Sequence, residues 1–292
     1  MRVLVATDSW RGPHAGAGLD SKTVGTALAR AWAELGDEVA VIPMGAAGQG
    51  FGRCLEQLTG VRPLCPELPP AGSDRWSASS RPLADYLREA APAGTQGRVL
   101  EIAATPWRDG GRGACPAIEG PVTLVTTRQE SERPLTGLRG LVSVEGRAEG
   151  MDPARMLSLD QQLCDWAQQL TGRPDAGTAP GTGAAGGLGL LVSALGGQVA
   201  TGPEFLMDAA GAETTAAAAD LIVTGCQELN MMTLEGEVVS AVTELAGRVG
   251  VPVIAVTATS SVSARELRES GLEAAMPLGA SDAGPVARTW HW

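Results

Sequence analysis

The sequence predicts an α/β fold, with a Rossmann-like parallel sheet built from both chain ends and a reduced inserted α/β lobe. Apolar runs rich in β-branched residues alternate with helix-period stretches at both ends of the chain. Glycine is abundant, at 39 residues, while aromatics make up only 3%. That balance favours tight turns and close helix–strand packing over an aromatic-rich β-sandwich. With 292 residues and 44% apolar content, the chain can build two modest domains or one large one around a real core.

Val3–Thr7 reads as the first strand. Asp20 and Ser21 open a periodic stretch that runs to Leu35 and is closed by Gly36, and Glu38–Met44 reads as the next strand, completing a βαβ unit. Arg62–Pro82, rich in proline and serine, reads as a loop or linker. Helical periodicity resumes at Leu83–Ala91, and Arg98–Ala103 and Val122–Thr127 read as strands. Pro153–Leu170 is an amphipathic helix behind Asp152, a capping residue with proline in the first turn. The last third repeats the alternation: strand Leu221–Thr224, helix near Gly236–Val249, strand Pro252–Thr257, helix Ala264–Ser270 and short strand Ala274–Leu278. The expected division joins 1–60 with 180–292 in a Rossmann-like α/β domain and leaves 61–179 as the smaller inserted lobe.

A formal charge of −11 argues against a nucleic-acid partner or an anionic membrane, both of which need a basic face. Lys22 is the only lysine, so phosphate contacts would fall to arginine or to backbone N–H groups. Cys54, Cys65, Cys115, Cys164 and Cys226 show no CxxC spacing, and His14 and His291 are the only histidines, so no metal site is expected. The chain opens directly on a strand, without a signal pattern or a bilayer-length apolar run; a reduced, cytoplasmic setting is expected.

Candidate chemistry gathers where strands end. Asp8, Ser9 and Arg11 place an acid, a hydroxyl and a cation after the first strand, where open α/β sheets bind ligands; a turn capped by Asp8 is the plainer alternative. Gly48 and Gly50 follow the second strand and allow close backbone approach, as a phosphate cradle or as an ordinary loop. Asp109, Gly110 and Gly111 form a DGG bend, either a ligand loop or a supported turn. Pro180–Gly189, with Gly181 and Gly183, offers N–H donors at a helix start or simply lets a helix lie close to the sheet. Gly225, Asn230 and Thr233 lie on a strand-to-helix junction at 221–237.

Taken together, these segments resemble the glycerate kinase family over nearly the whole chain. Asp8–Gly12 is similar to DSFKG, with Arg11 in the place of lysine. Pro43–Gly50 resembles PMADGGEGT, Ile102–Gly113 resembles GLGGSATNDGGxG, and Pro180–Gly189 closely resembles PGAGAAGGLG. Glu130–Leu135 is similar to DVxxPL, with Glu130 standing for aspartate, and Gly146–Gly150 is similar to GPQKGA, with Glu149 standing for lysine. In the segment 221–237, against VTGEGRLDxQTLxGK, Thr224, Gly225, Leu229, Thr233, Leu234 and Gly236 fit. The resemblance implies a glycerate kinase I-like fold and an ATP- and Mg²⁺-dependent transfer to a small hydroxy acid. Asp8, Arg11, Asp109 and Glu130 would be the residual catalytic candidates. Ser9, Gly48, Gly50, Gly110, Gly111, Gly181, Gly183, Gly225, Asn230 and Thr233 would be the cofactor-binding ones.

Against that pattern, Ala46, Gln49, Cys226 and Asn230 replace acids, Glu149 and Glu237 replace lysines, and Glu228 replaces an arginine. The segment between Gly60 and Ser79 is also much shorter than in the family, which implies a remodelled substrate cleft. Two expectations follow. One is a catalytically degenerate paralogue that binds a glycerate-like or nucleotide ligand, or a protein partner; no cofactor is certain in this case. The other is a working kinase that uses ATP and Mg²⁺ through the residual candidates.

Overall fold

The computed structural model describes residues 1–10, 18–68, 74–278 and 283–292. Arg11 therefore lies outside the described residues. In chain order the elements are β1 (Arg2–Thr7), α1 (Ser21–Ala33), β2 (Glu38–Pro43), α2 (Phe51–Thr59), α3 (Arg81–Ala90), β3 (Val99–Glu101), β4 (Thr123–Thr126) and α4 (Arg128–Ser131). They continue with α5 (Pro153–Thr171), α6 (Ala184–Ala194), β5 (Gln198–Thr201), α7 (Gly202–Ala209), α8 (Ala212–Ala217), β6 (Leu221–Leu229), α9 (Met231–Leu234) and α10 (Glu237–Val249). The chain closes with β7 (Val253–Ser260), α11 (Ala264–Glu269), β8 (Ala274–Pro277) and α12 (Gly284–Thr289).

Two compact units result: Met1–Val61 with Gly202–Trp292, and Arg62–Thr201. The first holds a five-stranded sheet in the order β2-β1-β6-β7-β8, with every pair parallel. Val3–Thr7 and Leu221–Thr224 thus share one sheet, with Val3 opposite Leu221 and Val5 opposite Val223. β1 is followed along the sheet by β2 on one side and by β6 on the other. The order reverses between β1 and β6, which makes the carboxyl end of that pair the topological switch point.

Helix α1 starts where Asp20 accepts a hydrogen bond from the Thr23 N–H at 2.8 Å, and it buries Val24, Leu28 and Trp32 on the face turned to the sheet. Gly25 is required on that face, because a Cβ there would sit 2.8 Å from Val41. The core of this unit joins α1 to Val3, Val5, Leu221, Val223, Ile254 and Val256. The central strands β6 and β7 are almost continuously apolar over their buried lengths, as expected for parallel strands covered on both faces.

The second unit is built on a three-stranded parallel sheet, β3-β4-β5. Residues 180–201, placed with the chain ends in the sequence reading, belong here instead. β5 pairs with β4 along Thr123–Thr126, so the unit needs it to complete its sheet. The stretch Arg62–Pro82, read as a linker, contributes a bridge between Leu64 and Leu100 and the first residues of α3. Trp107 is wholly buried among Leu83, Leu87, Leu124, Leu188 and Leu191. Its indole N–H donates to the Ala185 carbonyl at 3.2 Å, so it is a core residue with its polar atom satisfied.

Candidate functional site

At the switch point, β1 delivers Asp8 and β6 delivers Cys226 and, at its end, Asn230. The Asp8 N–H donates to the Gly225 carbonyl at 3.0 Å, continuing the sheet one residue beyond β1. Its Oδ1 accepts from the Ser9 N–H at 2.7 Å and from the Ser9 hydroxyl at 3.3 Å. Asp8 therefore caps the turn that follows β1, at the carboxyl end of the strand. Gly225 is fixed by packing, because a Cβ there would come within 2.4 Å of the Val256 carbonyl oxygen.

Two thiols stand near Asp8, and both stay protonated at neutral pH. Cys226 Sγ donates to the Glu228 carbonyl at 3.3 Å, and burial, with a smaller push from Asp8, raises its pKa to about 11. Cys54 donates to the Met44 carbonyl at 3.3 Å and lies 3.1 Å from the Ser21 hydroxyl; burial likewise raises it to about 11. Neither supplies negative charge.

Asn230 is committed to the backbone. Its Oδ1 accepts from the Thr233 N–H at 3.0 Å, while its own N–H donates to the Thr233 hydroxyl at 2.8 Å, forming a reciprocal cap on α9. The Thr233 hydroxyl donates in turn to the Glu228 carbonyl at 2.7 Å. Glu237 opens α10, where a carboxylate complements the helix dipole and a lysine would oppose it. β6 runs on to Leu229, five residues past the strand end read from the sequence, so Cys226 and Glu228 are strand residues and not part of a loop.

Beside this edge lies a pocket of about 410 Å³, lined by Ser9, Trp10, Asp20, Gln49, Gly50 and Arg53 among others. Gly50 holds φ at 96° and Gly48 at 73°, conformations suited to glycine, and both are exposed. Arg53 reaches Asp20 at 3.9 Å across an open surface, a weak pair that leaves the guanidinium largely hydrated.

In the second unit, Asp109 spends its carboxylate on the backbone. It accepts from the Ser80 N–H at 2.7 Å, the Ser80 hydroxyl at 2.9 Å, the Gly111 N–H at 3.0 Å and the Gly113 N–H at 3.1 Å. It thereby ties the start of α3 to the DGG bend. Gly110 and Gly111 are held by Trp166 and Leu188: a Cβ on Gly110 would lie 2.8 Å from the Trp166 ring, and one on Gly111 3.2 Å from the Leu188 backbone. Gly181 and Gly183 approach carbonyl oxygens of Ser131 and Pro134 so closely that a Cβ would fall at 3.0 and 2.3 Å. Close packing accounts for these four glycines.

Glu130 is a mostly buried member of an ion network. Its Oε1 accepts from Arg133 Nη1 at 2.6 Å and its Oε2 from the Ala185 N–H at 3.0 Å. Burial raises its pKa and outweighs the pull of Arg133. The network continues through Glu145, which accepts from Arg133 and, at 2.6 Å, from Arg108 Nε, with Arg75 Nη1 3.3 Å away. Glu149 pairs with Arg75 and accepts from the Trp76 indole N–H at 2.7 Å. The segment 141–148 is helical, with a π turn at Val142–Gly146 that presents Glu145. Arg75, Arg108, Arg133 and Glu145 were not singled out from sequence. They sit on four separate segments, and no spacing rule joins them before the chain folds.

Thus Asp8, Ser9, Gly48, Gly50, Gly225, Asn230 and Thr233 belong to one unit, while Asp109, Glu130, Gly110, Gly111, Gly181 and Gly183 belong to the other. Among the described residues, no three His, Cys, Asp or Glu side chains come together as a metal-holding group, and no helix is long and apolar enough to cross a membrane. Asp8, Cys54, Cys226 and Asn230 bring to the switch point one carboxylate, two protonated thiols and an amide oxygen already used as a helix cap, with Glu228 the other carboxylate on this stretch of β6, a set with few of the carboxylate oxygens that Mg²⁺ prefers.

Comparison with known proteins agrees with this architecture. A family model described as the glycerate kinase family matches residues 120–287. An uncharacterized protein of Mycobacterium bovis is 27% identical over 98% of this chain and 86% of its own length. A glycerate kinase of Bacillus cereus is 34% identical over 51% of this chain and 40% of its own length. The crystal structure of a protein described as glycerate kinase 2 from Salmonella typhimurium LT2 superimposes with a TM-score of 0.72, at 21% identity, over 99% of this chain and 98% of that one, a likeness of fold. Since the family match spans more than half of the chain, and the switch-point sheet and glycine-rich packing loops accompany it, this chain belongs to the glycerate kinase family.

Proposed function

We propose that the chain is a catalytically degenerate member of its family, retained to bind a glycerate-like or nucleotide ligand or a protein partner. The state of the switch point carries this reading. Phosphoryl transfer needs carboxylates to hold Mg²⁺, a base to orient the attacking hydroxyl, and positive or N–H groups around the transferred phosphoryl group. Here Asp8 stands beside neutral Cys226 and the helix-capping Asn230. Asp109 and Glu130, the other residual candidates, have their carboxylates engaged with backbone N–H groups and Arg133. A ligand of the remaining site would meet Ser9, Trp10, Gln49, Gly50 and Arg53, which suits a small polar molecule with modest negative charge.

One observation favours a working kinase as the second reading: Asp8 and Ser9 are still set at the carboxyl end of the central strand beside a pocket of about 410 Å³. Asp8, Arg11, Asp109 and Glu130 would then act with ATP and Mg²⁺. A coupled ATPase–glycerate assay together with a thermal shift in Mg²⁺·ATP separates the two. The degenerate reading expects no more than trace turnover, and expects any stabilisation by ATP to be independent of Mg²⁺. Turnover on the order of 1–100 per second would establish the kinase instead.

A further inference from the structure

The ion network of the second unit has the form of an anion site filled by the chain's own side chains. Arg108 and Arg133 are both about nine-tenths buried, with side chains 8% exposed, and both direct N–H groups at the Glu145 carboxylate. Arg75 approaches the same carboxylate at 3.3 Å from the solvent side. Three guanidiniums around one carboxylate form the donor arrangement that recognises phosphate or carboxylate oxygens in general, since planar forked donors match such groups in geometry and charge. Arg108 is held in place by further bonds to the Thr105 carbonyl at 2.9 Å, the Thr105 hydroxyl at 3.0 Å and the Trp107 carbonyl at 2.6 Å. The cradle is therefore pre-organised.

The two ends of the network differ. Glu130 and Glu145 are mostly buried, with side chains 18% and 11% exposed, and bonded on both sides, whereas Glu149 is 36% exposed and touches only the outermost arginine and the Trp76 indole. Trp76 and Arg108 also line a pocket of about 440 Å³, whose walls include Ser79, Arg112, Gln162 and Asp109, the last with its carboxylate held by backbone N–H groups. Arg112 adds a second guanidinium to that pocket, lying 5.4 Å above the Trp166 ring and donating to the Gln162 carbonyl. An incoming anion therefore has room beside the cluster, and Glu149 is the member it can displace with the least desolvation.

We infer that Arg75, Arg108 and Arg133 form a latent site for a small phosphate- or carboxylate-bearing anion, and that Glu149 blocks it by occupying Arg75. Occupation by a tethered carboxylate is an intramolecular competition, so a weak external anion loses to it unless Glu149 is removed or displaced. Glu130 is common to this network and to the residual kinase candidates, but the inference is read by pyrophosphate affinity and the kinase question by turnover, so either can fail alone.

Calorimetric titration with pyrophosphate at low ionic strength tests it, using the full chain and the variants Glu149→Gln and Glu149→Gln with Arg75→Gln. Glutamine keeps an oxygen for the Trp76 N–H, so the fold should persist; circular dichroism and the thermal midpoint establish this, and Glu149→Ala serves as a second variant if it does not. The expected result is that Glu149→Gln binds pyrophosphate at least about tenfold more tightly than the wild type, and that adding Arg75→Gln removes the gain. Equal affinities in wild type and Glu149→Gln, including no binding by either, would overturn the inference. So would a gain that survives Arg75→Gln.

Discussion

Glu130 Oε2 accepts a hydrogen bond from the Ala185 N–H at 3.0 Å, and Ala185 is held there at φ 51°, the only non-glycine residue with positive φ among the described residues. The left-handed conformation costs an L-residue roughly 1–2 kcal/mol. Gly186 and Gly187 continue the same left-handed path at φ 70° and 95° before the regular part of α6. The mostly buried carboxylate thus anchors a strained entry into the helix, which is a structural task for a residue first read as a catalytic candidate.

From this relationship, Ala185→Gly should stabilise the chain by about 0.5–1 kcal/mol, because relief of the left-handed strain outweighs the added freedom of the unfolded chain. Denaturant unfolding with an unchanged slope checks it. A loss of stability would mean that the Ala185 methyl packs more productively than its backbone is strained.

Glu130 should also leave a signature in the pH dependence of stability. Burial raises its folded pKa above the unfolded value, so the folded state holds its proton more tightly. This contribution favours the folded state below the unfolded pKa and is lost as pH rises through the folded pKa. Glu130→Gln removes the titration and keeps an oxygen for the Ala185 N–H. The stability of the wild type relative to this variant should therefore fall from mildly acidic toward neutral pH. A relative stability that rises over that range would show that Arg133 and Arg108 dominate over burial.

Much of the first unit was legible because each element carries its own signal. Asp20 caps α1, Ser263 caps α11 through a reciprocal bond with Glu266, and β1, β6 and β7 are apolar runs. Helix α2 was missed although Phe51, Cys54 and Leu55 have helical spacing, because the glycine-rich turn before it masks its start. α6 is buried on all sides and glycine-rich, so it lacks an amphipathic period. β5, with the sequence QVAT, becomes a strand only through pairing with β4, and for that reason the boundary of the units was misplaced. At the candidate site, the residue types at the switch point were readable, but their commitments were not. Whether Asp109 faces a ligand or a set of backbone and hydroxyl donors is decided by where Ser79, Ser80, Gly111 and Gly113 come to lie.

The switch-point thiols should be slow to alkylate. With pKa values near 11, Cys54 and Cys226 hold only about one thiolate in ten thousand at pH 7, and both are buried. Iodoacetamide at neutral pH, followed by peptide mass spectrometry, should modify them more slowly in the native chain than in denaturant. Rapid native labelling of Cys226 would indicate an activated thiol and reopen the question of covalent chemistry at this edge.

The last expectation concerns restoration of the junction after β6. Asn230→Asp should fold well, since aspartate caps a helix as asparagine does, whereas Asn230→Ala should cost about 1 kcal/mol through loss of the cap. Glu237→Lys places a cation in the first turn of α10 and should cost about 0.3–1 kcal/mol by opposing the helix dipole. The double variant Asn230→Asp with Glu237→Lys should still fail to bind Mg²⁺·ATP, because an aspartate at 230 remains a helix cap, Cys226 remains a neutral thiol, and Ala46 and Gln49 add no charge. Calorimetry in the presence and absence of Mg²⁺ reads the outcome directly. Tight metal-dependent ATP binding after these two changes would mean that Asp8 and its neighbours already form a competent Mg²⁺·ATP site.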